Sequence, residues 1–183
     1  MKQDSPQVEK SFTKDDAYQV LTLINTWIGN IDTKISFALA LVCVFIGMNF
    51  SYDFPKAFQK ILEISKLTEL NLKDVFAIIL VGLLYLSSLT STICFVLAIM
   101  ARIKKNNNVV SLFFFGTISK MGLQNYKNEM NQITENKMIE DLEEQIHINS
   151  TICTQKAKLY NKGLYFLLVT IVLWFICSIF KLI

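Results

Sequence analysis

The sequence has little of what soluble enzymes use for catalysis. It contains one histidine, His147, so no metal cluster or cysteine–histidine pair can draw on a second imidazole. It also lacks a G-x-x-x-x-G-K-[ST] phosphate loop, a G-x-G-x-x-G fingerprint and a G-x-S-x-G nucleophile elbow. We therefore expect no catalytic residues, no metal site and no cofactor.

Proline, glycine and cysteine are also scarce. The 183 residues include two prolines, six glycines and four cysteines, whereas 52% are hydrophobic. Few helix breakers and many apolar side chains are typical of long helices in contact with a membrane. Cys43, Cys94 and Cys177 fall in apolar segments and Cys153 in a polar one, so no disulfide framework is predicted.

Charged residues are missing from three segments, 35–50, 75–101 and 164–180. A bilayer core takes about 20 helical residues, which the second segment supplies alone. The first segment can extend toward the N-terminus through the amphipathic residues before it. The third can begin at Leu159 if the long side chain of Lys162 carries its charge to the membrane surface. Since backbone amides in hydrocarbon must be satisfied within their own segment, the spans are expected to be helices. The predicted fold class is an all-α integral membrane protein with three transmembrane helices.

The stretches around the spans complete the predicted organisation. Apolar residues at helical spacing after residue 102 predict two helices with a break near 134–136, the second continuous with the last span. The pieces are a polar tail and amphipathic lead-in helix (1–34), transmembrane helix 1 (35–50), an outer loop with a short interfacial helix (51–74), transmembrane helix 2 (75–101), a cytoplasmic helical segment (102–162), and transmembrane helix 3 with the C-terminus (163–183).

The lead-in helix has a clear start. Thr13 followed three residues later by Asp16 forms a capping box, which satisfies amide groups that a first helical turn leaves open. The next apolar residues recur at spacings of three and four and predict one buried face that continues into the first span. They are Ala17, Leu21, Ile24, Ile28, Ile31 and Ile35.

Lysine and arginine are distributed unevenly. Nine of the 18 lie between the second and third spans, and six of these nine are close to a membrane boundary. By the positive-inside rule this predicts a cytoplasmic location for 102–162. Two spans separate that segment from the N-terminus, so the N-terminus shares its side and the C-terminus lies outside.

Small residues recur along one stripe of each of the first two spans. Such stripes let helices approach closely in lipid, and they favour either a hairpin within one chain or an oligomeric, partly wet pathway lined by the "SSLTST" hydroxyls. They are Ser36, Ala40, Cys43 and Gly47 in the first span and Ser87, Ser91, Cys94, Ala98 and Ala101 in the second.

Charged residues flank the spans. Asp32 and Lys34 precede the first span and are either interfacial anchors or a gating pair. The basic residues near the inner boundary are either solvated charges or a set of donors suited to a phosphate. The basic residues are Arg102, Lys104, Lys105, Lys156, Lys158 and Lys162.

The stretch "SLFFFGTIS" at 111–119 is apolar but too short to cross a bilayer. With the two preceding valines it would be a helix of about 16 Å, against a core of about 30 Å. Its phenylalanines can wedge into the interface, and Gly116 permits close contact. We interpret it as an elbow that joins the second span to the cytoplasmic helices.

The order of these elements resembles the transmembrane Pycsar effector family over roughly residues 20–180. The resemblance rests on "WIGNIDTKISFALAL", "ARIKK", "SLFFFGTISKMGLQNY" and "DLEEQIHINSTICTQKAKLYNKG". The positions that match are Asp32, Lys34, Arg102, Phe114, Phe115, Gly116, Tyr126 and Lys156. Larger relatives carry an extra cytoplasmic domain before the spans, so sensing here is expected in the segment after the second span.

The resemblance implies an anti-phage role at the bacterial inner membrane. In such systems a pyrimidine cyclase makes cyclic CMP (cCMP) or cyclic UMP (cUMP) on infection, and the effector, expected to act as a homo-oligomer, impairs the membrane so that the cell dies. The residues then expected to bind the nucleotide are Arg102, Lys104, Lys105, Phe114, Phe115, Tyr126 and Lys156. Those expected to couple binding to the membrane are Asp32, Lys34 and Gly116.

Two other functions stay open on the residues alone. A holin-like pore former needs no ligand and suits small, uncharged spans, and a passive membrane adaptor would bind a protein partner through its cytoplasmic helices. Nucleic-acid binding is not expected, because the basic residues are spread along the membrane boundary and mixed with acids.

Overall fold

The computed structural model describes residues 12–50, 71–101 and 111–183, and every regular element in these ranges is an α-helix. The predicted interfacial helix of the outer loop and the candidate residues Arg102, Lys104 and Lys105 lie outside the described ranges. In chain order the helices are α1 (Lys14–Phe50), α2 (Leu72–Met100), α3 (Phe115–Ile118), α4 (Leu123–Gln132) and α5 (Glu135–Ile179).

Three of these helices, α1, α2 and α5, are long and apolar enough to cross a membrane. The predicted all-α fold with three spans is confirmed. The lead-in helix runs into the first span without a break, and the last polar helix is continuous with the third span over 45 residues. Such a helix is about 68 Å long.

The start of α1 is the predicted capping box. The Thr13 amide donates to Asp16 Oδ2 over 2.9 Å, and the Asp16 amide donates back to Thr13 Oγ1 over 3.2 Å. The Thr13 hydroxyl also donates to Asp16 Oδ2 over 2.6 Å. The bonds donated by the Thr13 hydroxyl and the Thr13 amide stabilise the Asp16 carboxylate and hold the pKa of Asp16 below its usual value.

The chain divides into two compact units, and α1 and α5 each contribute to both. The described residues of the first unit come from Met1–Gly29 and Arg102–Cys153, and those of the second from Asn30–Ala101 and Thr154–Ile183. In the first unit the buried apolar side chains are Ala17, Ile24, Leu112, Ile139 and Leu142. The first two belong to the face predicted for the lead-in helix.

The second unit contains the apolar parts of the three long helices. One core cluster joins Ile35, Ala38 and Val42 of α1 to Phe95 and Ala98 of α2 and Leu167 of α5. A second cluster joins Leu80, Val81 and Leu84 of α2 to Cys177 of α5. All four cysteines are free thiols.

The two small-residue stripes have different surroundings. On α2 the stripe is buried at Ser87, Ser91, Cys94 and Ala98, and Ser87 and Ser91 form hydrogen bonds with α5. On α1 the stripe of Ser36, Ala40, Cys43 and Gly47 is exposed within the single chain. Of the two alternatives left open by the sequence, the one in which this stripe packs within a single chain does not hold for α1, because α1 packs against α2 and α5 through the face with Ile35, Ala38 and Val42.

Candidate functional site

The "SLFFFG" block belongs to the first unit and is tied to α5. The Leu112 amide donates a hydrogen bond to Asp141 Oδ2 over 2.8 Å, and Ser111 is 1% exposed. The Phe113 amide donates to Ser111 Oγ over 3.1 Å, and the Thr117 hydroxyl donates to the carbonyls of Ser111 and Phe114. The block is thus an ordered turn that leads into the four residues of α3.

Two aromatic side chains of the block lie together. The rings of Phe114 and Phe115 have centroids 4.7 Å apart, and Phe115 is 76% exposed. The Phe113 ring packs edge-on against the Tyr18 ring of α1, with the ring centroids 6.1 Å apart. Tyr126 is half-buried on the separate helix α4. The block therefore presents an open phenylalanine face, which is a surface on which a planar base can stack.

Gly116 lies beneath the Phe114 ring. A Cβ atom added at this position would lie 2.5 Å from Phe114 Cε1 and 3.1 Å from Cζ. The predicted close contact at Gly116 is therefore present, and it is a contact within the block itself. Any larger side chain at this position must displace the Phe114 ring.

Asp32 and Lys156 meet in the second unit. Lys156 Nζ lies 2.6 Å from Asp32 Oδ1 and donates a second hydrogen bond to the Ile99 carbonyl over 3.2 Å. Lys156 is 5% exposed, whereas Lys34 is exposed. The predicted nucleotide-binding lysine thus holds a carboxylate and a backbone carbonyl, and it brings together α5, α1 and the end of α2.

Polar groups of α2 and α5 are hydrogen-bonded to each other, and two of the residues involved, Gly163 and Thr170, were not predicted as functional. The Ser91 hydroxyl donates to the Gly163 carbonyl over 2.9 Å, and the Thr170 hydroxyl donates to Ser87 Oγ over 3.0 Å. A Cβ atom at Gly163 would lie 2.6 Å from the Phe95 ring. The sequence did carry a signal for this contact: Gly163 is the only glycine of α5, and small residues in spans mark close helix contacts.

An open depression of about 410 Å³ lies along α1, lined by Tyr18, Gln19, Thr22, Leu23 and Thr26. None of these five side chains carries a charge. It therefore offers no cation to a phosphate. Among the described residues, no group of three or more histidine, cysteine, aspartate or glutamate side chains could hold a metal ion.

The family comparison bears directly on these elements. The family described as PycTM, the Pycsar effector protein domain, matches residues 16–182. That range includes the Asp32–Lys156 pair, the phenylalanine block and nearly all of the three long helices. The chain belongs to the PycTM family. Its PycTM membership confirms the resemblance drawn from the sequence motifs.

A curated PycTM relative has similar length. The Pycsar effector protein GmPycTM of Gulbenkiania mobilis is 31% identical over 191 residues, which cover 94% of each chain. No solved structure matches the chain. The family and the three apolar helices together make this PycTM protein a membrane effector of antiviral defence.

Proposed function

We propose that this PycTM protein is activated by a cyclic pyrimidine nucleotide, cCMP or cUMP, and then impairs the bacterial inner membrane, so that an infected cell dies before the phage matures. The observation that carries this proposal is the family match over residues 16–182, which takes in both the spans and the cytoplasmic elements between them. A functional link to a pyrimidine cyclase follows from the same assignment.

The nucleotide site is proposed in the segment 102–153 of the first unit. The exposed Phe115 and its neighbour Phe114 supply a stacking face for the base, and Tyr126 supplies a third ring. The phosphate would take the cations Arg102, Lys104 and Lys105, which precede the block in sequence. Lys156 is assigned a coupling role instead, since it already pairs with Asp32.

The membrane arrangement is part of the proposal. The N-terminus and 102–162 face the cytoplasm, where a cyclase would supply the nucleotide, and three spans place the C-terminus outside. The chain acts as a homo-oligomer in the bilayer. The exposed small-residue stripe of α1 supports this assembly, because small residues allow helices of separate chains to pack closely.

The test combines leakage and binding. Purified protein in vesicles of phosphatidylethanolamine and phosphatidylglycerol is expected to release a trapped dye on addition of cCMP or cUMP but not of cyclic AMP. Calorimetry in detergent should show binding of the same nucleotide. Leakage without any nucleotide would instead indicate a holin-like pore former. No dye release with either pyrimidine nucleotide would contradict the proposal.

A matched pair of variants tests the stacking face. Base–aromatic stacking is worth about 1–3 kcal/mol, so Phe115→Ala should weaken nucleotide binding by about fivefold to 150-fold. Phe76→Ala on α2 removes a similarly exposed phenylalanine from the second unit and should leave the Kd unchanged. Equal effects of the two variants would argue against a site at the phenylalanine block.

A further inference from the structure

We infer that the Asp32–Lys156 ion pair is a latch that keeps the three spans in a silent arrangement, and that membrane impairment requires Lys156 to leave it. The inference rests on the proposed function, since it describes how that function is held off before the nucleotide binds. It concerns the second unit only. It also gives a reason for the burial of Lys156, one of the 18 lysine and arginine residues in the chain.

One ammonium group connects three helices. Lys156 belongs to α5, its carboxylate partner Asp32 to α1, and its carbonyl partner Ile99 to the last turn of α2. The last carbonyls of a helix have no partner within the helix, and they carry the negative end of its dipole. The ammonium therefore neutralises a carboxylate and satisfies a helix end at the same point.

The latch stands at one end of the shared apolar core. Ile35 follows Asp32 by three residues, and Ala98 directly precedes Ile99; both belong to the cluster that joins α1, α2 and α5. Release of Lys156 would free this end of the cluster first. On α1 the second unit begins at Asn30 and on α5 at Thr154, so Asp32 and Lys156 each lie two residues after its start. A change in either helix therefore reaches the ion pair along a continuous backbone.

The pair is built to exist in two states. A buried ammonium is costly without a partner, so Lys156 must either keep Asp32 or reach water. The Asp32 side chain is 43% exposed, so its carboxylate can be hydrated when the lysine leaves. The flexible four-carbon stem of lysine lets the charge move to the membrane surface while α5 stays in place.

The direction of the effect separates a latch from an ordinary structural ion pair. Asp32→Asn removes the anion and should make vesicles leak without nucleotide, at a rate at least tenfold above wild type. Expression in cells without a cyclase should then arrest growth. Lys158→Met, which removes an exposed lysine two residues from Lys156, is the matched control and should stay silent. A silent Asp32→Asn protein that still leaks on addition of nucleotide would overturn the inference.

A labelling experiment on the unmodified protein covers the case in which Asp32→Asn does not fold. Lys156 should resist an amine acetylating reagent in resting vesicles, while Lys34 and Lys158 react. The rate at Lys156, followed by mass spectrometry, should rise at least fivefold when nucleotide triggers leakage. Leakage with no change at Lys156 would overturn the latch.

The two proposals fail differently. If the wild-type protein never leaks with cCMP or cUMP but Asp32→Asn leaks constitutively, the latch stands and the proposed ligand is wrong. If the wild type leaks on nucleotide addition but Lys156 labelling is constant, the ligand stands and the latch is wrong.

Discussion

Gly163 and Phe95 set how closely α2 and α5 approach each other. A methyl group at residue 163 would lie 2.6 Å from the Phe95 ring, so Gly163→Ala should overpack the contact and destabilise the protein by about 1–3 kcal/mol. Thermal unfolding in detergent measures the change. Gly82→Ala on α2 is the control, since nothing lies within 4 Å of a Cβ atom there, and it should be neutral or slightly stabilising. Equal losses for both variants would contradict this account of Gly163.

The capping box makes the start of α1 sensitive to acid. Asp16 lies well before the apolar segment of α1, and its pKa is lowered by hydrogen bonds from Thr13. A lowered folded-state pKa means that the stabilisation is complete above the ordinary carboxyl pKa, about 3.9, and is lost as pH falls through the lower folded value. Amide-exchange protection of the first turn should drop in that range. Asp16→Asn should remove this pH dependence, and a dependence that persisted would point to another group.

At the residue scale, short-range partners could be predicted and long-range partners could not. Thr13 and Asp16 are three residues apart, and helical geometry alone brings them together. Asp32 and Lys156 were each singled out, but they are 124 positions apart, so only the packing of α1 against α5 shows that they pair. The Ile99 carbonyl could not be found from sequence, because a backbone group carries no sequence signal.

At the scale of elements, Gly116 holds the phenylalanine block in shape. Gly116→Leu must push the Phe114 ring away, since even a Cβ atom would lie 2.5 Å from it. We expect the variant to insert into the membrane normally but to lose toxicity in cells that carry a cyclase. Membrane fractionation and growth curves measure the two effects. Gly122→Ala, with nothing within 4 Å of its Cβ atom, is the control and should behave as wild type; unchanged toxicity of Gly116→Leu would reduce the block to a membrane anchor.

The long helices were predicted closely, and the elbow less so. The continuity of α1 and α5 follows from apolar residues at helical spacing without an interrupting proline. The apolar run through 111–119 suggested a longer helix, but only Phe115–Ile118 are helical. Ser111 and Thr117 explain the difference, because their hydroxyls bond to nearby backbone groups and so compete with helical hydrogen bonds.

For the whole molecule, the proposed orientation is the property most open to test. Three spans with a basic segment between the last two predict opposite sides for the two termini. Alkaline phosphatase, which is active only outside the cytoplasm, should be active when fused after Ile183 and inactive when fused within Leu123–Gln132. A fluorescent protein fused at the N-terminus should be fluorescent. Phosphatase activity at α4 would reverse the orientation and remove the cytoplasmic nucleotide site.

The glycine contact between α2 and α5 also limits which motions can open the spans. If α5 slid past α2 by one turn, about 5.4 Å, Leu159 or Leu167 would arrive where Gly163 now faces the Phe95 ring. The ring leaves space there for a hydrogen atom and not for a leucine. A piston stroke of α5 would therefore force the Phe95 ring to move in either direction. We expect the proposed opening of the spans to use tilting or rotation instead, so distances measured across the bilayer should change while depth along α5 stays constant.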